Sequence, residues 1–440
     1  MPSQTPKQHR ASDGATDAPQ DVRMRGFQKR TTVETALTWV DQNSEIQSSE
    51  TVALKNTHGR VLAQDIVAPI DVPSFDRAAM DGYALRGDET TGAGDYNPLS
   101  FRLLVESMPG QPCDAEVVSG TAVRIMTGAA IPDGADAVLP AEYAAESGGV
   151  VEITTAVAPR KHVGSRGEDI TAGSLVLRSG RRLRPQDVGL LASLGIGTVS
   201  VIRRPKVRLI ITGNELIQPD EQRGTHQIFE SNSFVLQGLI RRDSGNVHKI
   251  CHIEDDCSAI KAALVEPGAD VILVSGGSSV GAEDHAPTIV AREGQLAIHG
   301  IAMRPSSPTG LGRVGGSLVC LLPGNPVSCL CAYDFFAGRS IRHMAGRSAD
   351  WPYAVRRATV AAKIASAIGR VDYCRVRVVP SEKEAESGPQ RTIDIKPVSL
   401  TGASILSSTT RADGFVIVPA DCEGYGVGTD VEFYLYDPVN

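Results

Sequence analysis

Short apolar runs and amphipathic stretches alternate between residues 206 and 346, and this is the most regular pattern in the chain. Runs rich in β-branched residues are typical of strands buried on both faces of a parallel sheet. They predict strands at 207–211, 246–253, 271–274, 296–303 and 318–322. The stretches between them predict helices at 233–242, 257–266, 287–293 and 326–339. We therefore expect a doubly wound α/β domain, which binds ligands at the carboxyl ends of its strands.

The segments on either side have different patterns. Helical spacing at 32–40, 48–62 and 185–193 indicates an N-terminal helical region over residues 27–205. Short alternating segments at about 87–158, separated by Gly, Pro and Asp, predict a β-rich insertion within it. Alternation returns after Trp351 and predicts a C-terminal β-barrel or sandwich over residues 347–440. The polar residues 1–26 predict a disordered tail rather than a secretory signal. The α/β domain takes residues 206–346.

A glycine and serine loop follows the predicted strand 271–274. Gly276, Gly277 and Gly281 allow the backbone to approach a ligand closely, and Ser279 adds a hydroxyl group. A strand, such a loop and a helix start together form a nest of N–H donors that suits an anion. The alternative is an ordinary strand-to-helix turn, in which Asp284 only caps the helix.

Composition narrows the range of functions. A net charge of −7 and a pI near 5.8 argue against a nucleic-acid partner, which requires a basic surface. The eight cysteines form no CxxC pair, which indicates reduced thiols in a cytoplasmic protein. The apolar run at 318–322 ends at Pro323, and no other run is long enough to cross a bilayer, so we expect no membrane segment.

Six motifs in order along the chain then point to a family. They are Ala79-Met-Asp-Gly-Tyr-Ala84, Arg124-Ile-Met-Thr-Gly-Ala129, Gly167-Glu-Asp-Ile170, Thr212-Gly213 with Glu215-Leu216, Ser275-Gly-Gly with Ser279-Val-Gly281 and Asp284, and Pro323-Gly-Asn-Pro-Val-Ser328. Together they resemble the molybdopterin molybdenumtransferase family, which includes the bacterial MoeA enzymes and the E domain of gephyrin. The resemblance covers residues 27–440.

This resemblance implies an enzyme that inserts molybdate into adenylylated molybdopterin and releases AMP. It implies Mg²⁺ or another divalent cation, a homodimer with a cleft shared by two subunits, and other molybdenum-cofactor biosynthesis proteins as candidate partners. By the same analogy, Asp81, Glu215 and Asp284 are the catalytic candidates, and Glu215 and Asp284 are the metal ligands. The implied substrate-binding residues are Thr127, Gly276, Gly277, Ser279, Gly281, Arg304, Pro323, Gly324, Asn325, Pro326 and Ser328.

Two loops depart from the family pattern. The family's Pro-Gly-Lys-Pro is Pro305-Ser-Ser-Pro308 here, so Ser307 stands in place of a lysine. Its Thr-Gly-Asp-Glu is Thr212-Gly-Asn-Glu215, so Asn214 stands in place of an aspartate. One charge of each sign is thus lost, and we expect the two positions to lie near the same cleft. The alternative functions are a paralogue that acts on another oxyanion such as tungstate, and a non-catalytic scaffold. Adenylylation of molybdopterin is disfavoured because domains flank residues 206–346.

Overall fold

The structure is a computed structural model that describes residues 30–277, 284–380, 393–398 and 405–436. Ser279, Gly281 and the predicted tail at 1–26 lie outside these ranges. The chain divides into two compact units, of which one is Ser49–Val201 and the other combines Met1–Ser48 with Ile202–Asn440.

The second of these units contains a six-stranded sheet. Its strands are β1 (Lys206–Thr212), β2 (Asn246–Ile253), β3 (Val271–Ser275), β4 (Gly294–His299), β5 (Gly310–Val314) and β6 (Ser317–Leu322), in the order β2-β1-β3-β6-β5-β4. The first four in this order are parallel, and β5 is antiparallel to both of its neighbours. The helices are α1 (Asn232–Arg242), α2 (Cys257–Val265), α3 (Ala286–Glu293) and α4 (Pro326–Ala332).

Helices cover both faces of this sheet, as the sequence predicts. Leu209 and Leu273 belong to one hydrophobic core, to which α1 and α4 also contribute. Ile210 and Val274, their neighbours along the strands, belong to a second core with α2 and α3. Successive side chains of a strand point to opposite faces, so a strand covered on both sides is apolar throughout. This burial explains why β3 and β6 are continuous apolar runs.

Two details of the predicted domain are wrong. The strand predicted at 296–303 ends at His299, because Gly300 turns the chain with a φ of 89° and donates its N–H to the Thr309 carbonyl at 3.0 Å. Strand β5 was not expected, since glycines interrupt its apolar pattern. The glycine at 312 is required there, because a Cβ would lie 2.2 Å from the carbonyl oxygen of Gln295 on β4.

The helix predicted at 326–339 is interrupted. After α4 the chain forms a π-helical turn, Tyr333–Ala337, and then a further helix, Gly338–Met344. Asp334 in the π turn is fully buried, and its carboxylate accepts hydrogen bonds from Arg242 at 2.9 Å and from the Tyr353 hydroxyl at 2.8 Å. Opposite charge and a hydroxyl donor thus satisfy the buried group.

The C-terminal part of the same unit is a small closed barrel. Its strands are β7 (Ala354–Val360), β8 (Val371–Val379), β9 (Ile393–Pro397), β10 (Gly414–Val418) and β11 (Asp430–Leu435), which pair in the cyclic order β8-β9-β7-β11-β10-β8. A short pair, Ile364–Ala365 with Gly424–Tyr425, and a helical turn, Ser407–Thr410, accompany them. The expected C-terminal barrel is confirmed.

One strand pairing joins the barrel to the loop that follows β4. Met303 and Arg304 pair in parallel with Val371 and Asp372 at the start of β8. This pairing places the 304–308 loop against the barrel, although about 70 residues separate the two segments in the sequence.

The unit Ser49–Val201 is rich in strands. A six-stranded sheet contains, in spatial order, Ala137–Pro140, Gly82–Leu85, Thr121–Ile125, Leu99–Ser107, Val150–Ile153 and Ala144–Ser147. The remaining strands are Ser49–Ala53, Ile66–Val67, Arg77–Ala78, Val163–Gly164, Leu175–Leu177 and Thr198–Ile202, and the helices are Pro185–Ser193 and the 3₁₀ turns Leu54–Asn56, Gly87–Thr90 and Ala141–Tyr143. The strands predicted within 87–158 are present.

The helix predicted at 48–62 is wrong. Ser49–Ala53 is a strand that pairs with Thr198–Ile202, and only the short 3₁₀ turn Leu54–Asn56 follows. Burial alternates residue by residue along the strand, with Val52 packed against a local core. Pairing with a β-branched partner strand has overridden the helical spacing. The helix predicted at 32–40 is observed as Val33–Gln42, begun by the Thr32 hydroxyl, which accepts from the Thr35 N–H.

No helix within the described ranges is both long and apolar enough to cross a membrane.

Candidate active site

Loops at the carboxyl ends of β1, β3 and β6 line a cleft of about 780 Å³. The strand order brings these three ends side by side, and the start of α1 closes one side. The cleft brings together eight of the residues proposed from the sequence: Glu215, Gly276, Gly277, Asp284, Pro323, Gly324, Asn325 and Pro326.

Close backbone packing explains the glycines of this cleft. Gly276 has a φ of 97°, and a Cβ there would lie 2.2 Å from the Thr212 carbonyl oxygen. A Cβ on Gly277 would meet the Thr212 hydroxyl at 3.0 Å, and one on Gly324 would lie 3.5 Å from the Gly276 Cα. Only glycine fits at 276, so the two loops present backbone rather than side chains to a ligand.

One polar side chain holds these loops together, and a second has no partner among the described residues. The Asn232 amide, at the start of α1, donates to the Ser275 hydroxyl at 2.9 Å and to the Gly324 carbonyl at 2.7 Å. The Thr212 side-chain oxygen is buried and has no hydrogen-bond partner among the described residues. Because buried polar atoms are nearly always hydrogen-bonded, a hydroxyl beside Gly276 and Gly277 without a partner fits a polar ligand.

The cleft is acidic. Glu215, Glu230, Asp255 and Asp284 line it, and none of its described lining residues is lysine or arginine. The Glu230 carboxylate is hydrogen-bonded to the first turn of α1. It accepts from the Ser233 N–H at 2.7 Å and from the Ser233 hydroxyl at 2.5 Å. Glu215 is exposed, and no described group bonds its carboxylate. It is therefore available to a ligand.

A basic cavity of about 680 Å³ adjoins the acidic cleft. Pro308, Pro323 and Asn325 line both spaces. The cavity lies between the α/β domain and the barrel, and its lining includes the cations Arg30, Arg304, Lys363, Arg370 and Arg375. Asp372 is the only acid among the described lining residues, and it is paired with Arg370 at 2.9 Å. Arg304 and Ser328, both proposed from the sequence as oxyanion contacts, lie in this cavity.

The two serines that replace family residues are bound to the backbone. Ser306 keeps a φ of 85°, and its hydroxyl donates to the Ser328 carbonyl at 2.5 Å. The Ser307 hydroxyl donates to the Ile301 carbonyl at 3.0 Å. The Asn214 side-chain oxygen likewise accepts from the backbone, from the Asp255 N–H at 3.1 Å. Ser307 lines the basic cavity, and Asn214 is bonded to a lining residue of the adjoining acidic cleft.

Comparison with known proteins identifies the family to which the chain belongs. Models of the MoeA N-terminal region (domain I and II), of a probable molybdopterin binding domain and of the MoeA C-terminal region (domain IV) match residues 31–195, 208–343 and 357–436. The chain belongs to the MoeA family.

Relatives and a solved structure agree over nearly the whole chain. A molybdopterin molybdenumtransferase 2 of Mycobacterium tuberculosis is 35% identical over 395 residues, which are 87% of this chain and 94% of that protein. A molybdopterin molybdenumtransferase of Haemophilus influenzae is 30% identical over 387 residues, 87% of this chain and 93% of that protein. The crystal structure of a molybdopterin biosynthesis MoeA protein from Pyrococcus horikoshii matches with a TM-score of 0.78 at 30% identity, covering 93% of this chain and all of that one.

Two residues of the MoeA pattern lie in the other unit. The Asp81 carboxylate accepts hydrogen bonds from the Thr127 N–H at 2.7 Å and from the Thr127 hydroxyl at 2.6 Å. These bonds favour the charged form, and they hold the pKa of Asp81 below its usual value. The sequence-proposed pair is thus brought together by the turn after Thr121–Ile125.

Sequence reasoning missed four cations of the basic cavity, Arg30, Lys363, Arg370 and Arg375. Arg375 is only 5% exposed, yet its Nε and Nη1 atoms have no hydrogen-bond partner within the described ranges. Its signal was readable, since Arg375 interrupts the apolar face of a predicted strand. Lys363 has no comparable signal, because it precedes the strand Ile364–Ala365 in an exposed connection.

The donors of the acidic cleft suit Mg²⁺ held jointly by protein and substrate. No three His, Cys, Asp or Glu side chains in the described part of the chain form a cluster that could hold a metal. Mg²⁺ does not require one, since it is commonly bound through one or two carboxylates and substrate phosphates, and it keeps several waters. Glu215 and Asp284 line one cleft and offer oxygen ligands of this kind.

Proposed function

We propose that this protein inserts molybdate into adenylylated molybdopterin, with release of AMP, during molybdenum-cofactor biosynthesis. The observation that carries the proposal is the contact of two spaces of opposite charge, which share Pro308, Pro323 and Asn325. A pterin linked to a pyrophosphate and an inorganic oxyanion must meet for this reaction, and the shared wall is where they would do so. The names of the relatives support the same activity.

The acidic cleft would bind the pyrophosphate of the substrate. Backbone N–H groups of Gly276, Gly277 and Gly324 and the Thr212 hydroxyl are its donors, at a site where no side chain blocks approach. Carboxylates alone would repel phosphates, so we assign Glu215 and Asp284 to holding a divalent cation between protein and substrate. Bound Mg²⁺ would neutralise charge on the phosphates as AMP leaves.

The basic cavity would bind molybdate. Arg304 and the Ser328 hydroxyl are the contacts proposed from the sequence, and Arg375 adds a buried cation whose N–H groups lack partners. A planar guanidinium with free donors suits a tetrahedral oxyanion. Molybdate held there lies across Asn325 and Pro323 from the phosphate site.

We also propose a cytoplasmic homodimer in which Asp81 and Thr127 contribute to catalysis. All eight cysteines are unpaired, which suits a reducing compartment. Static light scattering at micromolar concentration should give a mass near twice the 46.5 kDa of the chain. A mass of one chain under these conditions would contradict the dimer. Domain limits at residues 27–205, 206–346 and 347–440, with an insertion at about 87–158, are part of the proposal.

The function is tested by incubating purified protein with adenylylated molybdopterin, MgCl₂ and molybdate while AMP is measured. We expect AMP release that depends on all three additions, and molybdenum in the pterin product. Release with tungstate but not molybdate would favour the altered paralogue. Absence of AMP under every condition, from protein that binds the substrate, would contradict the enzyme and favour a scaffold.

A further inference from the structure

The loop 304–308 carries a single charged side chain, that of Arg304. The hydroxyl protons of Ser306 and Ser307 are both given to backbone carbonyls, those of Ser328 and Ile301. Proline occupies positions 305 and 308, where no backbone N–H exists. Arg304 is therefore the one charge that this loop offers to an oxyanion, and any further positive charge must come from another element.

Lys363 lies across the cavity from that loop, on the barrel. The strand that follows it is anchored, because Ile364 is buried in the barrel core and pairs with Tyr425. Within the described ranges, no carboxylate pairs with the Lys363 ammonium and no hydrogen bond engages it. The base of the side chain is thus fixed, while its charged end is available.

The charges around the cavity do not balance without a ligand. Asp372 neutralises Arg370, which leaves four cations without a carboxylate in the described lining: Arg30, Arg304, Lys363 and Arg375. Arg375 is also nearly inaccessible to water, so its charge is poorly solvated unless an anion reaches it. Several uncompensated cations around one space suit an anion that carries two charges.

We propose that Lys363 is a specificity-determining residue that binds the doubly charged oxyanion from the barrel side, in place of a cation at position 307. The identification of this oxyanion as molybdate rests on the proposed function, whereas the binding of a doubly charged oxyanion by Lys363 does not. Lys363 and Arg375 then hold the anion from the barrel, and Arg304 holds it from the α/β domain.

The test is equilibrium dialysis of molybdate alone against the full chain, at one ionic strength near that of the cell. Lys363→Met is expected to weaken binding about tenfold or more, since a charged hydrogen bond contributes roughly 1.5–3 kcal/mol. Lys363→Arg should restore most of the affinity. Lys396→Met, on the same barrel but outside the cavity lining, removes an equal charge and is expected to bind as the wild type does.

A variant that moves the lysine to position 307 tests the proposal by a gain of affinity rather than by a loss. Ser307→Lys in the Lys363→Met background should recover affinity, and Ser307→Lys in the wild type should add less than it does in that background. Lys363 is exposed, so the melting temperatures of Lys363→Met and Lys363→Arg should equal that of the wild type. Equal molybdate affinity of wild type and Lys363→Met would overturn the proposal. If the Lys363 variants changed molybdate affinity as expected but the wild type released no AMP, the result would count only against the proposed function.

Discussion

The acidic cleft and the basic cavity adjoin each other, but they are formed by different structural elements and offer different chemical groups. The cleft is made of loops at one sheet edge, which offer glycine backbone, one buried hydroxyl and carboxylates. The cavity is made of one loop and a barrel wall, and it offers guanidinium and ammonium groups. In the proposed function, two ligands of like charge therefore bind in opposite ways. The phosphates would enter an acidic site that needs a cation, whereas the oxyanion would contact protein cations directly.

The largest effect that would separate the two spaces is expected at Glu215. Glu215→Gln keeps the shape of the side chain but removes the charge that we propose holds a divalent cation. We expect the rate of AMP release to fall about 100-fold or more. A fall of this size corresponds to ~2.7 kcal/mol of lost transition-state stabilisation. Molybdate affinity, measured by dialysis without pterin, should stay unchanged.

Asp220→Asn is the matched control, because this exposed acid lies five residues further along and outside the cleft lining. It should turn over at the wild-type rate. If Glu215→Gln also turned over normally, Glu215 would have no part in the chemistry.

A smaller effect is expected from Gly276→Ala, which perturbs the backbone of the cleft alone. Its Cβ would lie 2.2 Å from the Thr212 carbonyl oxygen, so the loop must move. A displacement of about 1 Å can reduce rate by up to roughly 100-fold. The melting temperature measured by circular dichroism and the rate of AMP release should both decrease. Gly238→Ala in α1, where a new Cβ meets no atom within 4 Å, should be neutral or slightly stabilising and serves as the control.

The smallest effect concerns Asp81, which lies outside both spaces. Its pKa is held below the usual value chiefly by the Thr127 hydroxyl, so the carboxylate stays ionised as pH falls through the ordinary range. Thr127→Ala removes that donor and raises the pKa of Asp81. The acid limb of the pH–rate profile should then move to higher pH, whereas Thr155→Ala, at an exposed threonine, should leave it in place. An unmoved limb in Thr127→Ala would show that Asp81 ionisation does not limit turnover.

The cleft was more predictable than the cavity, and the reason is physical. Its loops each follow a buried strand, and strand order alone brings Glu215, Gly276 and Pro323 to one edge. The cavity depends on pairing between Arg304 and Asp372, a contact with no local pattern. Arg375 could have been noticed as a charge on an apolar strand face, but its partnership with Arg304 could not. The strand β5 was missed for a related reason, since its glycines serve a neighbouring strand rather than its own pattern.

The division of work between the two spaces is tested most directly by the molybdate dependence of AMP release in Arg375→Met. The substitution removes a buried charge but keeps most of the apolar side chain. We predict that half-saturation requires about tenfold more molybdate, as expected for loss of one charged hydrogen bond, while the rate at saturating molybdate stays near that of the wild type. A lower saturating rate with unchanged half-saturation would contradict the account, because it would place Arg375 in the cleavage step rather than in oxyanion binding.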